Sequence, residues 1–214
     1  MSPLIAIKTP ATNLRTTALR ASCLLLLLVF CLQPDSYCQR GARTLPLGID
    51  QLTQQADVIV HGYVTSAKSE PHPQLRDLNT IVVTLSVKDT YKGKAQKSIT
   101  FRQFVWDPLP ERELADYGKS QELVLFLGPV SEYGLTSPVG LEQGRFRVST
   151  NKQKQMLAVN GRGNFGLFHA LPARAQARGV TLSPRTLAAA HKNEAGPLPL
   201  ADLEDAIRTF AGAR

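Results

Sequence analysis

The sequence predicts a mainly β protein, a small barrel or sandwich with a short N-terminal helix and a C-terminal amphipathic helix. Three observations predict it. Ile81, Val83, Leu85 and Val87 alternate with Thr80, Thr84, Ser86 and Lys88, the period of a half-buried strand. About five to seven segments of strand character follow one another with turn residues between them, as in a small all-β domain. Near the end of the chain Leu200, Leu203, Ile207 and Phe210 recur at helical spacing.

The elements follow in order. Ile49, Leu52 and Ala56 predict a short helix over 49–56. Val58 to Ala67 predicts a strand, with Val58, Val60 and Val64 on one face and Ile59, His61, Tyr63 and Thr65 on the other. Gly62 interrupts it, the mark of a bulge or sharp bend. Glu70-Pro71-His72-Pro73 reads as a loop. Thr80 to Tyr91 is the clearest strand, and Lys92-Gly93-Lys94 turns the chain into another over Ser98 to Val105. Trp106-Asp107-Pro108-Leu109-Pro110 opens a loop with one helical turn near Arg112–Ala115. Glu122 to Leu127 (E-L-V-L-F-L) is continuously apolar after its first residue and reads as a strand buried on both sides. Short strands are expected at Tyr133–Thr136, Gly144–Ser149 and Gln155–Val159. Residues 161–198 are rich in Gly, Ala, Arg and Pro and read as an extended or flexible connection. The last helix begins after Pro199, with Asp202, Glu204 and Asp205 early and Arg208 late, as the helix dipole prefers.

The first 38 residues read as a cleaved signal peptide. Lys8, Arg15 and Arg20 form a basic start, and Ala21 to Leu32 supply about twelve apolar residues, suited to a signal-peptide core. That falls short of the roughly 20 residues of a membrane-spanning helix. Pro34 follows, and Ser36 and Cys38 are small residues before a cut at Gln39. A lipoprotein signal is disfavoured, because Phe30 and Tyr37 precede Cys31 and Cys38 where a small residue is needed. The expected organisation is a signal peptide over 1–38, a β domain over 39–160, the connection over 161–198 and a helix over 199–214. The protein is expected to be secreted or periplasmic, with no stable membrane anchor after cleavage.

All three cysteines, Cys23, Cys31 and Cys38, lie in the leader. The body that remains cannot hold a disulfide, a thiol nucleophile or a cysteine metal site. The net charge of the 214-residue chain is +8. Removing Lys8, Arg15, Arg20 and Asp35 with the leader lowers it to about +6, a bias that favours loose attraction to anionic surfaces and names no partner.

Several segments together carry a family resemblance. They are L-x-x-x-A-D-V-I-V-H-G-Y-V (Leu52 to Val64), Y-K-G (Tyr91 to Gly93), I-T-F-R (Ile99 to Arg102), G-K-S-Q-E-L-V-L-F-L (Gly118 to Leu127) and G-L-E-Q-G-R-F-R-V (Gly140 to Val148). Over residues 47–160 and the closing helix, the chain resembles a widespread group of exported, uncharacterised bacterial proteins. Their arrangement is similar to the OB-like barrel of netrin and tissue-inhibitor-of-metalloproteinase modules. The resemblance implies an OB-like β-barrel. Those inhibitors chelate a protease metal through a mature N-terminal cysteine; a cut after Cys38 leaves Gln39 there, so that mechanism is not carried over.

No motif carries chemistry securely. Gly161-Arg162-Gly163-Asn164-Phe165-Gly166 matches G-x-G-x-x-G, but the segments before it read as an antiparallel hairpin and the first acid downstream is Glu194. A glycine-rich turn is the expected reading. His61, His72, His169 and His191 include no pair spaced as metal ligands often are, so no metal, cofactor or catalytic residue is assigned. His61 is expected to be partly exposed. Asp107, Glu111, Glu113 and Asp116 read as a solvated acidic loop, and no G-x-S-x-G elbow occurs. Lys88, Arg102, Arg145 and Arg147, with Trp106 for stacking, have the composition of an anion- or polymer-binding face. The expectation is a non-enzymatic binding or accessory module recognising a protein partner in the cell envelope. A binder of anionic polymers, nucleic acid or envelope glycan, is the first alternative. A hydrolase with a site built from scattered residues is the second.

Overall fold

The computed structural model describes residues 45–105, 110–192 and 195–212. The leader, its cleavage point and Trp106 lie outside the described residues. So does Asp107.

A helix α1 (Ile49–Gln55) precedes three long strands, β1 (Val58–Pro71), β2 (Asn79–Lys92) and β3 (Ser98–Phe104). A short helix α2 (Pro110–Ala115) leads to β4 (Glu122–Leu127). A 3-10 turn at Leu141–Gly144 then enters β5 (Arg145–Thr150) and β6 (Met156–Asn160). Two helices follow, α3 (Leu171–Ala177) and α4 (Pro184–Lys192), then β7 (Leu198–Pro199) and α5 (Leu200–Ala211). All strand pairings are antiparallel, in the order β3-β2-β1-β4-β5-β6-β7. The protein is thus mainly β, with the short N-terminal and the C-terminal helix that the sequence predicts. The ladder leaves β3 and β7 as edges, and among the described residues no strand pairing closes it into a barrel.

Alternation along the strands gives the sheet two buried faces. On one, Ile59, Val124, Phe126, Phe146, Val148 and Ala158 meet all four of the helices α1, α3, α4 and α5. On the other, Val60, Val64, Ile81, Val83, Leu85 and Phe101 meet Leu123, Leu125, Leu127 and Tyr117. β4 serves both, which is why its sequence is unbroken in apolar character. Burying a Leu or Phe in either layer stabilises by roughly 2 kcal/mol.

The sheet bends at β1, whose register with β2 shifts between Ile59 and Val60, His61 and Gly62, and Val64 and Ser66. At the second shift His61 faces Asp89 while Gly62 faces Val87, so Lys88 is the extra residue of a bulge. Gly62 is required there: a Cβ would run into the Ser86 carbonyl.

Two expectations change. Residues 161–198 are more than an extended connection: they carry α3 and α4, and Leu171, Ala175 and Ala189 join the helix-side core. At Tyr133–Thr136 the expected strand is reduced to an isolated bridge between Leu135 and Arg102.

Among the described residues no helix is long and apolar enough to cross a membrane.

Candidate functional site

Among the described residues, a group of titratable side chains gathers around His61. Its ring lies on the helix-covered face of β1, two residues from core residue Ile59, and is 1% exposed. The bulge aims Asp89 of β2 at it, β4 supplies Glu122, and the first turns of α5 lower Glu204 over it. Nε2 lies 2.9 Å from Glu122 Oε1. A carboxylate can only accept, so Nε2 carries a proton. Nδ1 faces Asp89 Oδ2 and Glu204 Oε1, each at 3.7 Å, and this buried atom has no hydrogen-bond partner. One ligand atom each from His61, Asp89 and Glu204 lies within 4.8 Å of the others, so these three could hold a metal ion.

The surroundings fix the carboxylates. Tyr91 donates to Glu204 Oε1 at 2.8 Å, and Arg208 approaches Glu204 Oε2 at 3.6 Å while stacking 5.1 Å above the Tyr91 ring. Burial, then the bond to Glu204, push the Tyr91 hydroxyl well above the usual phenol range. A hydrogen bond to Glu122 and its charge raise Tyr63 likewise. Both phenols therefore stay protonated as donors. Lys88 Nζ sits 3.8 Å from Glu122.

Sequence reasoning placed His61 as a partly exposed strand residue and drew no ligand set from it. The structure buries it, because α5, about 140 positions later, folds over the strand. Local spacing could not reveal a group assembled from β1, β2, β4 and α5. The one available signal was Gly62, which marked the bulge.

The basic residues expected to form one binding face are not brought together. Arg102 donates to Glu70 at 2.5 Å and to Thr80 at 2.7 Å. Arg145 pairs with Asp116 at 2.6 Å and lies 5.1 Å over the Tyr117 ring, and Arg147 sits 3.8 Å from Asp116. Arg145 and Arg147 alternate with helix-side core residues, whereas Arg102 alternates with Phe101 of the other core, so they occupy opposite faces. Lys88 lies at the bulge beside Glu122.

His72 is structural. Its Nδ1 accepts from the backbone N–H groups of Gln74 and Leu75, and Nε2 donates to the Tyr133 carbonyl at 2.8 Å. The G-x-G-x-x-G segment is a series of turns and opens no helix at its last glycine. Asn164, at φ +60°, accepts from the Asn160 N–H and donates to the carbonyls of Ala158 and Gly196.

A second feature lies beside α1. An open cleft of 570 Å³ is lined by Pro46, Phe165, Phe168, His169 and Ala190, with the Arg174 guanidinium at its wall. Phe165 is 60% exposed at this cleft, although Phe168 is buried.

No protein-family model matches the chain, and no curated protein matches it.

Proposed function

We propose that the protein is an exported, non-enzymatic binding or accessory module that recognises a protein partner in the cell envelope, and that the cleft beside α1 is its contact surface. The observation that carries this reading is Phe165. A large aromatic side chain exposed at the rim of a mixed apolar and polar cleft is the kind of anchor that protein interfaces bury. Export is supported by the leader pattern of residues 1–38.

Two competing readings have less support. Of the basic residues, Arg102 and Arg145 already hold carboxylates at hydrogen-bond distance, which removes most of their pull on an anionic polymer. A hydrolase using His61 as its base is disfavoured, because one ring nitrogen is held by Glu122 and the other is buried.

The test is a photo-crosslinking residue in place of Phe165, followed by cell fractionation. A processed chain in the envelope fraction, joined to one discrete protein, is the expected result. A chain retained in the cytosol with Met1 attached, or no crosslink from position 165, overturns the reading.

A further inference from the structure

We propose that His61, Asp89 and Glu204 form a binding site for a divalent first-row transition ion such as zinc or manganese, independent of the partner surface at Phe165. The unpartnered His61 Nδ1 carries the argument. With Nε2 donating to Glu122, the neutral ring presents its lone pair at Nδ1. That atom is buried, with one oxygen of Asp89 and one of Glu204 each 3.7 Å away. Three electron-rich atoms converging on one point without a shared proton repel one another. A cation at that point turns the repulsion into coordination.

The dimensions suit such an ion. Two ligands on a tetrahedral zinc, with bonds of roughly 2.1 Å, stand about 3.4 Å apart. The two 3.7 Å separations from His61 need only a slight contraction, and the Asp89 and Glu204 oxygens, within 4.8 Å of each other, close on the ion with them. One imidazole and two carboxylates form a mixed nitrogen–oxygen set, which suits zinc, manganese or iron(II) better than calcium with its six to eight oxygens or copper(I) with its sulfur ligands. Metal-bound histidines commonly donate their other N–H to a carboxylate, which fixes the ring; Glu122 occupies that position. Tyr91 and Arg208 orient Glu204 in the same way. Asp89 is 47% exposed, which places one ligand of the group at the surface.

The protein as recovered from cells is stripped with a chelator and titrated with Zn²⁺, Mn²⁺ and Co²⁺ by calorimetry. One equivalent is expected to bind, and Co²⁺ to give visible d–d absorption of a low-symmetry nitrogen–oxygen site. Asp89→Asn and Glu204→Gln are each expected to lower affinity by about tenfold or more. Asp89→Asn is the decisive variant, because the half-exposed Asp89 supports no core packing. Its melting temperature without metal should match that of the parent while its metal response falls. Absence of saturable binding for all three ions overturns the proposal. So does binding that Asp89→Asn and Glu204→Gln leave unchanged.

Discussion

Arg174 of α3 holds the carboxylate of Asp50 of α1 through two nitrogens, Nη2 at 2.7 Å from Oδ1 and Nε at 3.0 Å from Oδ2. Asp50 is 3% exposed, and Arg178 stands 3.7 Å away on the same side. The pair joins two helices that are 124 residues apart at this contact. Removing Arg174 leaves the buried Asp50 charge with only the more distant Arg178, whereas removing both partners leaves no such charge. Arg174→Met is therefore expected to cost about 3 kcal/mol, and Arg174→Met combined with Asp50→Asn appreciably less. Urea unfolding of the two single variants and the double variant measures the coupling. Strictly additive effects would show that the pair contributes nothing of its own.

Asp205 links α5 to α4. Its Oδ2 accepts from the Thr186 hydroxyl at 2.7 Å and from the Ser183 hydroxyl, and Ser183 Oγ in turn accepts from the Thr186 N–H at 3.0 Å. Burial alone would raise the carboxyl, but the hydrogen bonds from Ser183 and Thr186 prevail and hold it below its ordinary value of 3.8. A depressed carboxyl stabilises the fold fully above that ordinary value, and the contribution fades as pH falls through the folded one. Asp205→Asn is thus expected to be destabilising at neutral pH, with its deficit shrinking steadily under acid. Urea midpoints of parent and variant, measured downward from neutrality, give the difference. A constant deficit across that range would exclude the linkage.

Much of the fold was legible because it is written in local periodicity. The E-L-V-L-F-L run needs two apolar faces and lies between two cores. Leu203, Ile207 and Phe210 form a stripe because one side of α5 meets the sheet. Residues 161–198 misled because their short helices carry little apolar pattern. Besides Leu171, the helical contacts there come from Ala175 and Ala189, and alanine has no strong period. A signal was present at Ser183-Pro184, an N-cap residue before a proline at the first helical position. The His61 group was illegible for a different reason. Its members are set by a bulge and by a distant helix packing over a strand, and neither leaves a spacing in the chain.

Gly62→Ala tests the bulge. The added Cβ meets the Ser86 carbonyl, which belongs to the paired strand and cannot rotate away. A cost of about 3 kcal/mol is expected, the upper part of the range for overpacking a tight contact. Thermal and urea melts check it. Because the bulge aims Asp89 at His61, the variant is also expected to weaken metal binding in the calorimetric titration. A stability matching the parent would show that β1 and β2 can separate at this point without loss.

Asn164→Ala removes the acceptor for the Asn160 N–H and the donor for two carbonyls, all in a turn that closes β6 against Gly196. Unmatched buried backbone groups cost on the order of 2 kcal/mol in sum. Alanine also tolerates φ +60° less readily than asparagine. Amide hydrogen exchange at Asn160 is expected to accelerate more than exchange in β2. Equal acceleration throughout would mean only global destabilisation.

Arg145 and Arg147 stand two residues apart on β5 and are expected to respond differently to charge reversal. Arg145 is largely covered, bonded to Asp116 and stacked over Tyr117, whose ring also meets Phe101 edge-on at 6.0 Å. Glutamate there would face Asp116 as a like charge and leave the Tyr117 ring without its cover. A loss of about 2 kcal/mol follows. Arg147 is 60% exposed and 3.8 Å from the same carboxylate, a pairing that solvent screens to well under about 1 kcal/mol. Arg147→Glu should therefore leave the melting temperature nearly unchanged. This contrast decides how polymer binding can be tested: a lost interaction with heparin in an Arg145 variant reports a disturbed α2 loop, whereas the same loss in Arg147→Glu with unchanged stability would report a true contact. Retained heparin affinity in Arg147→Glu would remove Arg147 from any anion-binding surface.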